Sequence, residues 1–206
     1  RILSTPVEFF VEFSSPYNYI AVNQIEEVAK KNGTEAIWRP ISLGHVWKAI
    51  GANNVGPNSI SQKMNYINMD SGRSAKMAGL PMAKPAVFPV DAKLARLVFY
   101  RVNRSDPALA KEFAKGVSRQ FWAESKEITA PEHLMGLAKS LGIAESDVTE
   151  AADDGDAKAD VIAATTAAVE SGCFGVPWFK VGEQVFWGAD RIPQIDQYLA
   201  FKAAKS

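Results

Sequence analysis

Residues 7–21, VEFFVEFSSPYNYIA, contain the transition that decides the fold. The first seven of these residues are β-branched or aromatic apart from two glutamates, which is typical of a mostly buried strand. Ser15 and Pro16 follow, and they predict a helix because serine is a favoured N-cap and proline is preferred at the first helical position. The strand therefore passes directly into a helix, which Asn32 and Gly33 end.

Outside this segment, the sequence changes from strands to helices and back. Residues 36–41 (AIWRPI) predict a second strand, so the chain opens as a βαβ unit with a parallel strand pair and a right-handed crossover. Near the other end, residues 178–181 and 184–187 predict a hairpin that turns at Gly182 and Glu183. A closing helix follows, with Asp190 as its expected N-cap.

Between these two parts lies a long block in which apolar residues recur at helical spacing. The clearest helical segments are residues 91–104, 107–125, 131–141 and 160–171, whereas residues 51–59 predict a loop. The predicted fold class is therefore α/β, with a thioredoxin-like core (βαβ…ββα) interrupted by an all-helical insertion. We expect a thioredoxin-like domain formed by residues 1–44 plus 173–206 and an inserted helical domain formed by residues 45–172.

Composition excludes several classes of function. The 206 residues include 23 Lys and Arg against 23 Asp and Glu, so the formal net charge is zero. The chain therefore lacks the excess of basic residues that is typical of proteins that bind nucleic acids or anionic membranes. The single cysteine, Cys173, excludes an internal disulfide and a CxxC pair, and two histidines give no reason to expect a metal site. No apolar run is long enough to span a membrane, and no secretory signal opens the chain. We expect a soluble cytoplasmic protein, although Arg1 in place of Met leaves a removed leader open.

The first candidate site is Ser15 with the residues that follow it, Pro16 and Tyr17. They lie where a strand ends and a helix begins, the edge at which open α/β sheets bind ligands. Backbone N–H groups and the helix dipole at such an edge stabilise an anion, including a thiolate. The alternative is that Ser15 is only a helix cap.

Two further candidates lie near the end of the chain. In a thioredoxin-like core the Val176–Pro177 bond is cis, and the Val176 backbone is free to pair with a peptide-like ligand; the alternative is a plain turn into a strand. Asp190 could bind an ammonium group of a ligand, and Arg191 could bind a carboxylate. The alternative is that Asp190 is only a helix cap and Arg191 only a solvated charge. Lys63 and Cys173, taken alone, indicate a solvated charge and a buried thiol.

Taken together, several segments resemble a known family, the 2-hydroxychromene-2-carboxylate isomerases, which are close to the kappa-class glutathione transferases and to DsbA-like oxidoreductases. The matching segments are FSSPYNYIA (13–21), ANNVGP (52–57), FPVD (88–91), FWAE (121–124), FGVPWF (174–179) and FWGADR (186–191). They occur in the right order and span nearly the whole chain. The resemblance implies a thioredoxin-like domain with an inserted helical domain.

The resemblance also implies that glutathione binds across the cleft between the domains, with Ser15 as the catalytic serine. The implied glutathione-binding residues are Ser15, Pro16, Tyr17, Asn54, Lys63, Val176, Pro177, Asp190 and Arg191. The doubled asparagine makes the loop match ambiguous between Asn53 and Asn54. Trp178 replaces the small threonine usual after the proline, which bears on the pocket for the second substrate.

The implied reaction is the glutathione-dependent conversion of 2-hydroxychromene-2-carboxylate to trans-o-hydroxybenzylidenepyruvate in aromatic hydrocarbon catabolism, by reversible addition of a thiolate that the Ser15 hydroxyl stabilises. A small aromatic carboxylate is then the substrate, and the family implies a homodimer. Tyr66, Phe88 and Trp122 are expected in the core rather than in an aryl site. Two alternatives are a kappa-like glutathione transferase and a non-enzymatic peptide-binding module with the same fold.

Overall fold

The computed structural model describes residues 5–205, apart from the side chain of Asn58. The predicted domain limits at Arg1 and Ser206 lie outside the described residues. The strands are β1 (Val7–Val11), β2 (Ala36–Pro40), β3 (Trp178–Val181) and β4 (Gln184–Trp187). The helices are α1 (Pro16–Ala21), α2 (Ile25–Lys31), α3 (Leu43–Ala49), α4 (Ser61–Met77), α5 (Lys93–Asn103), α6 (Pro107–Trp122), α7 (Pro131–Ser140), α8 (Glu145–Thr149), α9 (Gly155–Glu170) and α10 (Ile192–Ala203).

The four strands form one mixed sheet in the order β2-β1-β3-β4. β1 runs parallel to β2 and antiparallel to β3, and β3 pairs antiparallel with β4. The predicted parallel pair and the hairpin through Gly182 are therefore confirmed. With the helices that follow β1 and β4, this sheet is the core of the predicted α/β, thioredoxin-like fold.

Large aromatic side chains hold the centre of the sheet together. Phe9 on β1 stacks on Phe179 of β3 with ring centroids 4.9 Å apart and meets Trp38 of β2 edge-on at 5.3 Å. Phe9 and Phe179 are fully buried, and burying one such ring contributes about 1.5–3 kcal/mol. The aromatic residues of the VEFFVEF segment thus hold β1 as an inner strand between β2 and β3.

Helices α3 to α9 lie between β2 and β3 in sequence, and α5, α6 and α9 contact β2. The Tyr100 hydroxyl on α5 donates to the Pro40 carbonyl of β2 at 2.9 Å, and Lys111 on α6 donates to the Ala36 carbonyl at 2.7 Å. The predicted segments 91–104, 107–125 and 131–141 correspond to α5, α6 and α7. The seventeen-residue α4 was not individually predicted, because only Ser71 and Ala75 of this helix are buried and its apolar periodicity is weak.

The structure corrects three details of the sequence interpretation. The helix after β1 is broken into α1 and α2, because the Asn23 side chain donates to the Tyr19 carbonyl at 2.7 Å and residues 22–24 form a turn. Helix α9 begins at Gly155, five residues before the predicted start, where Asp154 caps it. Asp190 is not an N-cap: it lies inside the short 3-10 turn Ala189–Arg191, and its side chain caps no helix.

Two X-Pro peptide bonds are cis. The bond between Val176 and Pro177 was predicted to be cis and is confirmed, whereas the bond between Phe88 and Pro89 was not predicted. Both lie in irregular segments that reach the same side of the molecule. None of the helices formed by residues 5–205 is long and apolar enough to cross a membrane.

Candidate active site

A cavity of about 850 Å³ opens where β1 and β2 end. Its volume lies in the range of about 300–1,000 Å³ typical of small-molecule sites. Five stretches contribute lining residues: the turn into α1 (12, 14–17), the start of α3 (42–45, 47, 48), the loop before α4 with part of α4 (54–57, 59, 63, 67), the loop before α5 (88–91) and the turn before β3 (174–176). Trp187 completes the lining.

Ser15 stands on the cavity wall at the point where β1 gives way to α1. Its Oγ accepts the Asn18 backbone N–H at 3.3 Å, so the predicted cap is confirmed. Within residues 5–205, the Ser15 hydroxyl proton and the Tyr17 backbone N–H have no acceptor. Because α1 has only six residues, these two free donors, rather than a long helix dipole, are what the site offers an anion.

Tyr17 lines the cavity beside Ser15 and is half-buried. Its hydroxyl donates to Asp70 Oδ2 on α4 at 2.9 Å. Burial and this hydrogen bond raise the pKa of the Tyr17 phenol, so it stays neutral. Tyr17 therefore ties α1 to α4. Pro16 is buried beneath it and also lines the cavity.

The Val176–Pro177 turn brings a second wall to the cavity. Val176 lines it, and among the described residues its backbone N–H and C=O have no hydrogen-bond partner. Pro177 is buried and does not line the cavity; its carbonyl accepts the Gly188 N–H at 2.9 Å. The free backbone of Val176 is the arrangement expected for pairing with a peptide-like ligand.

The loop before α4 contributes Asn54 and Lys63. Both are exposed and line the cavity, whereas Asn53 does not line it. Asn54 has a φ of 55°, a left-handed conformation that asparagine tolerates better than most residues. Lys63 Nζ donates to the Val55 carbonyl, which keeps its ammonium group at the cavity edge.

Asp190 and Arg191 do not line the cavity. They are exposed in the turn before α10, with Arg191 Nη2 3.6 Å from Asp190 Oδ2. This turn packs against α1, and the Asp190 charge contributes to the raised pKa of Tyr17. The two charges therefore lie next to the α1 wall but outside the cavity itself.

An aromatic group at the cavity rim was not predicted as a site. Trp47 Nε1 donates to the Phe174 carbonyl at 3.0 Å, and the Phe174 ring meets that of Trp187 with centroids 4.8 Å apart. Phe174 and Trp187 remain about half exposed at 48% and 53%. Two of these residues lie inside the FGVPWF and FWGADR motifs, but Trp47 carried no such signal.

Three of the aromatic expectations are now resolved. Trp122 is buried in the core as expected, but Phe88 lines the cavity and Tyr66 is exposed.

Trp178 is buried, and its Nε1 donates to Ser171 Oγ at 2.9 Å, so it does not enter the cavity. Cys173 is a buried thiol, and burial raises its pKa to about 11, which makes it a poor nucleophile.

A lysine and a histidine on α3, Lys48 and His45, line the cavity but were not predicted as site residues. Lys48 is exposed, lines the cavity and has no ion-pair partner within the part of the chain that is described. His45 lies nearby, and its Nδ1 is 2.7 Å from Ser42 Oγ. Over residues 5–205, no group of three or more His, Cys, Asp or Glu side chains could hold a metal ion.

A buried ionic cluster borders the cavity beneath Ser15. Arg96 on α5 is 3% exposed, and its Nη1 lies 3.1 Å from Glu12 Oε2, while its Nη2 donates to Asp91 Oδ1 at 2.5 Å. Glu12 and Asp91 both line the cavity. This cluster could not be predicted from local patterns, because Glu12 and Arg96 are separated by 84 residues.

Comparison with known proteins gives a consistent set of similarities. Residues 6–200 match the family model described as a DSBA-like thioredoxin domain. The chain is 30% identical over 191 residues to 2-hydroxychromene-2-carboxylate isomerase of Pseudomonas putida, with 90% of each chain covered. It is 25% identical to glutathione S-transferase kappa 2 of Caenorhabditis elegans, with 94% of this chain and 91% of that protein covered. A solved structure of a 2-hydroxychromene-2-carboxylate isomerase is similar with a TM-score of 0.87 and 25% identity over 97% of each chain.

Proposed function

Because the chain belongs to the DsbA-like thioredoxin family, together with the 2-hydroxychromene-2-carboxylate isomerases, we propose that it is a glutathione-dependent isomerase. Its substrate is 2-hydroxychromene-2-carboxylate, a small aromatic carboxylate, and its product is trans-o-hydroxybenzylidenepyruvate. The similar proteins named as this isomerase support the reaction, and the similar kappa-class transferase supports glutathione as the thiol.

The observation that carries this proposal is the Ser15 hydroxyl in the cavity. Ser15 begins the segment S-P-Y-N, which resembles the C-P-x-C motif of DsbA-like oxidoreductases with a serine in place of the first cysteine. The Ser15 hydroxyl proton is free to be donated, and the free N–H of Tyr17 lies beside it. A hydroxyl that donates to a sulfur favours the thiolate over the thiol, whose pKa is otherwise about 8.5. Ser15 therefore stabilises a thiolate brought by a ligand instead of forming a bond itself.

The residues around the cavity fit a tripeptide. The unpaired backbone of Val176 matches the main chain of the cysteinyl residue of glutathione, since it offers both a donor and an acceptor. Lys63 and Asn54 suit a carboxylate at the α4 side, and Pro16 and Tyr17 form the wall next to the sulfur. Pro177 holds Val176 in place, and Asp190 with Arg191 suits the charged γ-glutamyl end beyond the cavity edge.

When bound, glutathione would supply a sulfur nucleophile that adds reversibly to the conjugated substrate, so that a carbon–carbon double bond becomes single and can rotate before elimination restores it and returns the thiolate. Ser15 holds the negative charge near the sulfur, and the aromatic rim formed by Trp47, Phe174 and Trp187 provides an apolar surface for the aryl ring. Lys48 places a positive charge within the same cavity and suits the substrate carboxylate. Each group is thus matched to a different part of the two ligands.

A kappa-like glutathione transferase is the second candidate, and the similarity to the Caenorhabditis elegans kappa protein favours it. It would use the same sulfur and the same serine, but the glutathione adduct would leave as product. A non-enzymatic peptide-binding module with the same fold stays the third alternative. The homodimer and the cytoplasmic location stay predictions.

A single reaction assay separates the two enzymes. Chromene carboxylate is incubated with the protein and glutathione at about one-tenth of the substrate concentration, and product and free thiol are measured together. An isomerase brings the substrate to equilibrium with its product, turns over several substrate molecules per glutathione and returns all of the thiol. Loss of one thiol per substrate consumed contradicts the isomerase and supports the transferase. No binding of glutathione in calorimetry contradicts both.

A further inference from the structure

The buried cluster of Glu12, Arg96 and Asp91 has no role in the reaction as described so far. It contains two carboxylates and one guanidinium, so its formal charge is −1 when both acids are ionised. The Glu12 side chain is 9% exposed, whereas that of Asp91 is 69% exposed. A proton taken up by the cluster therefore goes to Glu12, since that carboxylate gains least from hydration.

The position of Glu12 connects the cluster to the Ser15 turn. The Glu12 carbonyl accepts the Ser15 N–H at 3.0 Å and the Asn18 side chain at 2.9 Å, so Glu12 and Ser15 are held in one rigid turn. Its carboxyl lies beside the backbone N–H groups of Ser14 and Leu43, two residues that also line the cavity. A bound thiolate next to Ser15 would add a second negative charge at this end of the cavity.

We propose that Glu12 receives the proton that glutathione loses when it binds as a thiolate. The S–H bond breaks, an O–H bond forms on Glu12, and the total charge of the site is unchanged. Glu12 returns the proton when glutathione leaves as the thiol, so no oxidant, reductant or further reactant is needed. This inference rests on the proposed use of glutathione.

The groups around Glu12 suit a carboxyl that changes protonation. Arg96 favours the ionised form, while burial and the charge of Asp91 oppose it, and burial dominates, so that the pKa of Glu12 is raised. His45, Lys48 and Lys63 also line the cavity but have no hydrogen bond or ion pair to Glu12 within the described chain. Asp91 keeps Arg96 paired when Glu12 is neutral, so protonation of Glu12 leaves no buried cation unpaired.

The test counts protons released to the buffer for each thiolate formed. Glutathione binding is measured by calorimetry in two buffers of different ionisation enthalpy, and thiolate is measured from its ultraviolet absorbance. We expect the wild type to release well under one proton per thiolate and Glu12→Gln to release close to one. Glu8→Gln is the matched control, because Glu8 lies on β1 four residues before Glu12, pairs with Arg39 at 3.0 Å and does not line the cavity. It should behave as the wild type.

One proton released per thiolate by the wild type, or equal release by wild type and Glu12→Gln, overturns the inference while leaving the proposed function intact. Failure of the wild type to bind glutathione overturns the proposed function itself. A second measurement needs no variant: infrared difference spectra of the wild type should gain the carbonyl band of a protonated carboxyl when glutathione binds. Absence of that band in a sample that forms the thiolate contradicts the role of Glu12.

Discussion

Ser15 combines two roles in one oxygen atom: its Oγ caps α1 through the Asn18 N–H, and its hydroxyl proton is free for a ligand. We expect Ser15→Ala to remove both. Loss of the cap should lower the free energy of unfolding by about 1 kcal/mol, while loss of the donor should reduce turnover by a much larger factor. Denaturant unfolding and saturated turnover of the same preparation measure the two effects.

Asp106→Ala is the matched control for the loss of a cap. Asp106 caps α6 by accepting the Leu109 N–H at 2.9 Å, and it does not line the cavity. Its substitution should give a similar loss of stability of about 1 kcal/mol with unchanged turnover. If Ser15→Ala keeps wild-type turnover, the serine is only a cap and the proposed function loses its central residue.

Among the elements, α4 depends on one long-range hydrogen bond, from the Tyr17 hydroxyl to Asp70. Few residues of α4 are buried, so this bond and the neighbouring packing hold Lys63 at the cavity. Tyr17→Phe should cost about 1 kcal/mol and make the α4 amides exchange with solvent faster. It should also raise the glutathione concentration needed for half-maximal activity.

Hydrogen exchange measured peptide by peptide is the direct test of this tether. Tyr198→Phe is the control, because Tyr198 lies on α10 and packs against Phe186, away from α4. Faster exchange in α4 of both variants, or in neither, would mean that the Tyr17 hydroxyl does not hold the helix. Exchange in α6 should stay unchanged in both variants.

The structure predicts how the contribution of Asp154, at the start of α9, to the free energy of unfolding changes with pH. Asp154 accepts the Ala157 N–H at 2.8 Å and pairs with Arg101 and Arg104, each at 2.9 Å, and these contacts lower the pKa of its carboxyl below 3.8. The ionised form therefore stabilises the fold above about pH 4, and this stability is lost as the pH falls through the lowered pKa. Asp154→Asn should flatten that acid-side decline by about 1 kcal/mol.

Denaturant unfolding at a series of acidic pH values measures this decline. Asp156→Asn is the control. The Asp156 carboxylate lies in the first turn of α9, is 88% exposed and is 3.9 Å from Arg104, which is a longer contact than the 2.9 Å pair that Asp154 makes. It should leave the pH profile of stability as it is in the wild type. A profile for Asp154→Asn that is parallel to the wild type would show that the carboxylate charge contributes nothing there.

Local sequence patterns were sufficient to predict the strands and helices whose buried residues recur at regular spacing. The strands are rich in β-branched and aromatic residues, and helices α5 to α7 repeat their apolar residues at helical spacing. The structure confirms these elements and the turn at Gly182, which glycine itself indicated. The break between α1 and α2 depends on the Asn23 side chain competing for a backbone carbonyl, which periodicity does not register. Helix α4 was not predicted because only Ser71 and Ala75 of this helix are buried and its apolar residues do not recur regularly.

At the scale of the whole molecule, the fold brings together candidates that lie far apart in sequence. Ser15, Asn54, Lys63 and Val176 line one cavity: Ser15 and Val176 lie where strands of the sheet end or begin, while Asn54 and Lys63 come from the loop before α4 and from α4 itself. Strand topology predicted that Ser15 and Val176 lie together, whereas Asn54 and Lys63 were expected only from the family resemblance. The pairing of Glu12 with Arg96 requires a helix to be placed over a strand end, and Trp47 meets Phe174 only through tertiary packing. Neither leaves a sequence signal.

The insertion and the sheet share one hydrophobic core, which has a consequence for unfolding. The core cluster includes Phe9 and Phe179 of the sheet together with Val98 and Phe113 of the helices. Hydrogen bonds from Tyr100 and Lys111 to the β2 backbone join the same two parts. We therefore expect a single cooperative unfolding transition, although the predicted limits at residues 44 and 173 divide the chain into two domains.

Glutathione should shift that transition as a unit. Ligand at about 100 times its dissociation constant adds about 2.7 kcal/mol to the free energy of unfolding, which is roughly 5–10 °C in a chain of this size. Calorimetric scans with and without glutathione measure the shift, and the S-methylated tripeptide is a control that lacks an ionisable thiol and should stabilise less. Two separate transitions, with only one moved by glutathione, would mean that the helical insertion folds independently and contributes little to the site. A single transition that moves as a whole shows that the sheet and the helical insertion unfold together, because a ligand bound at the cavity between Ser15 and Lys63 then stabilises the whole cooperative unit.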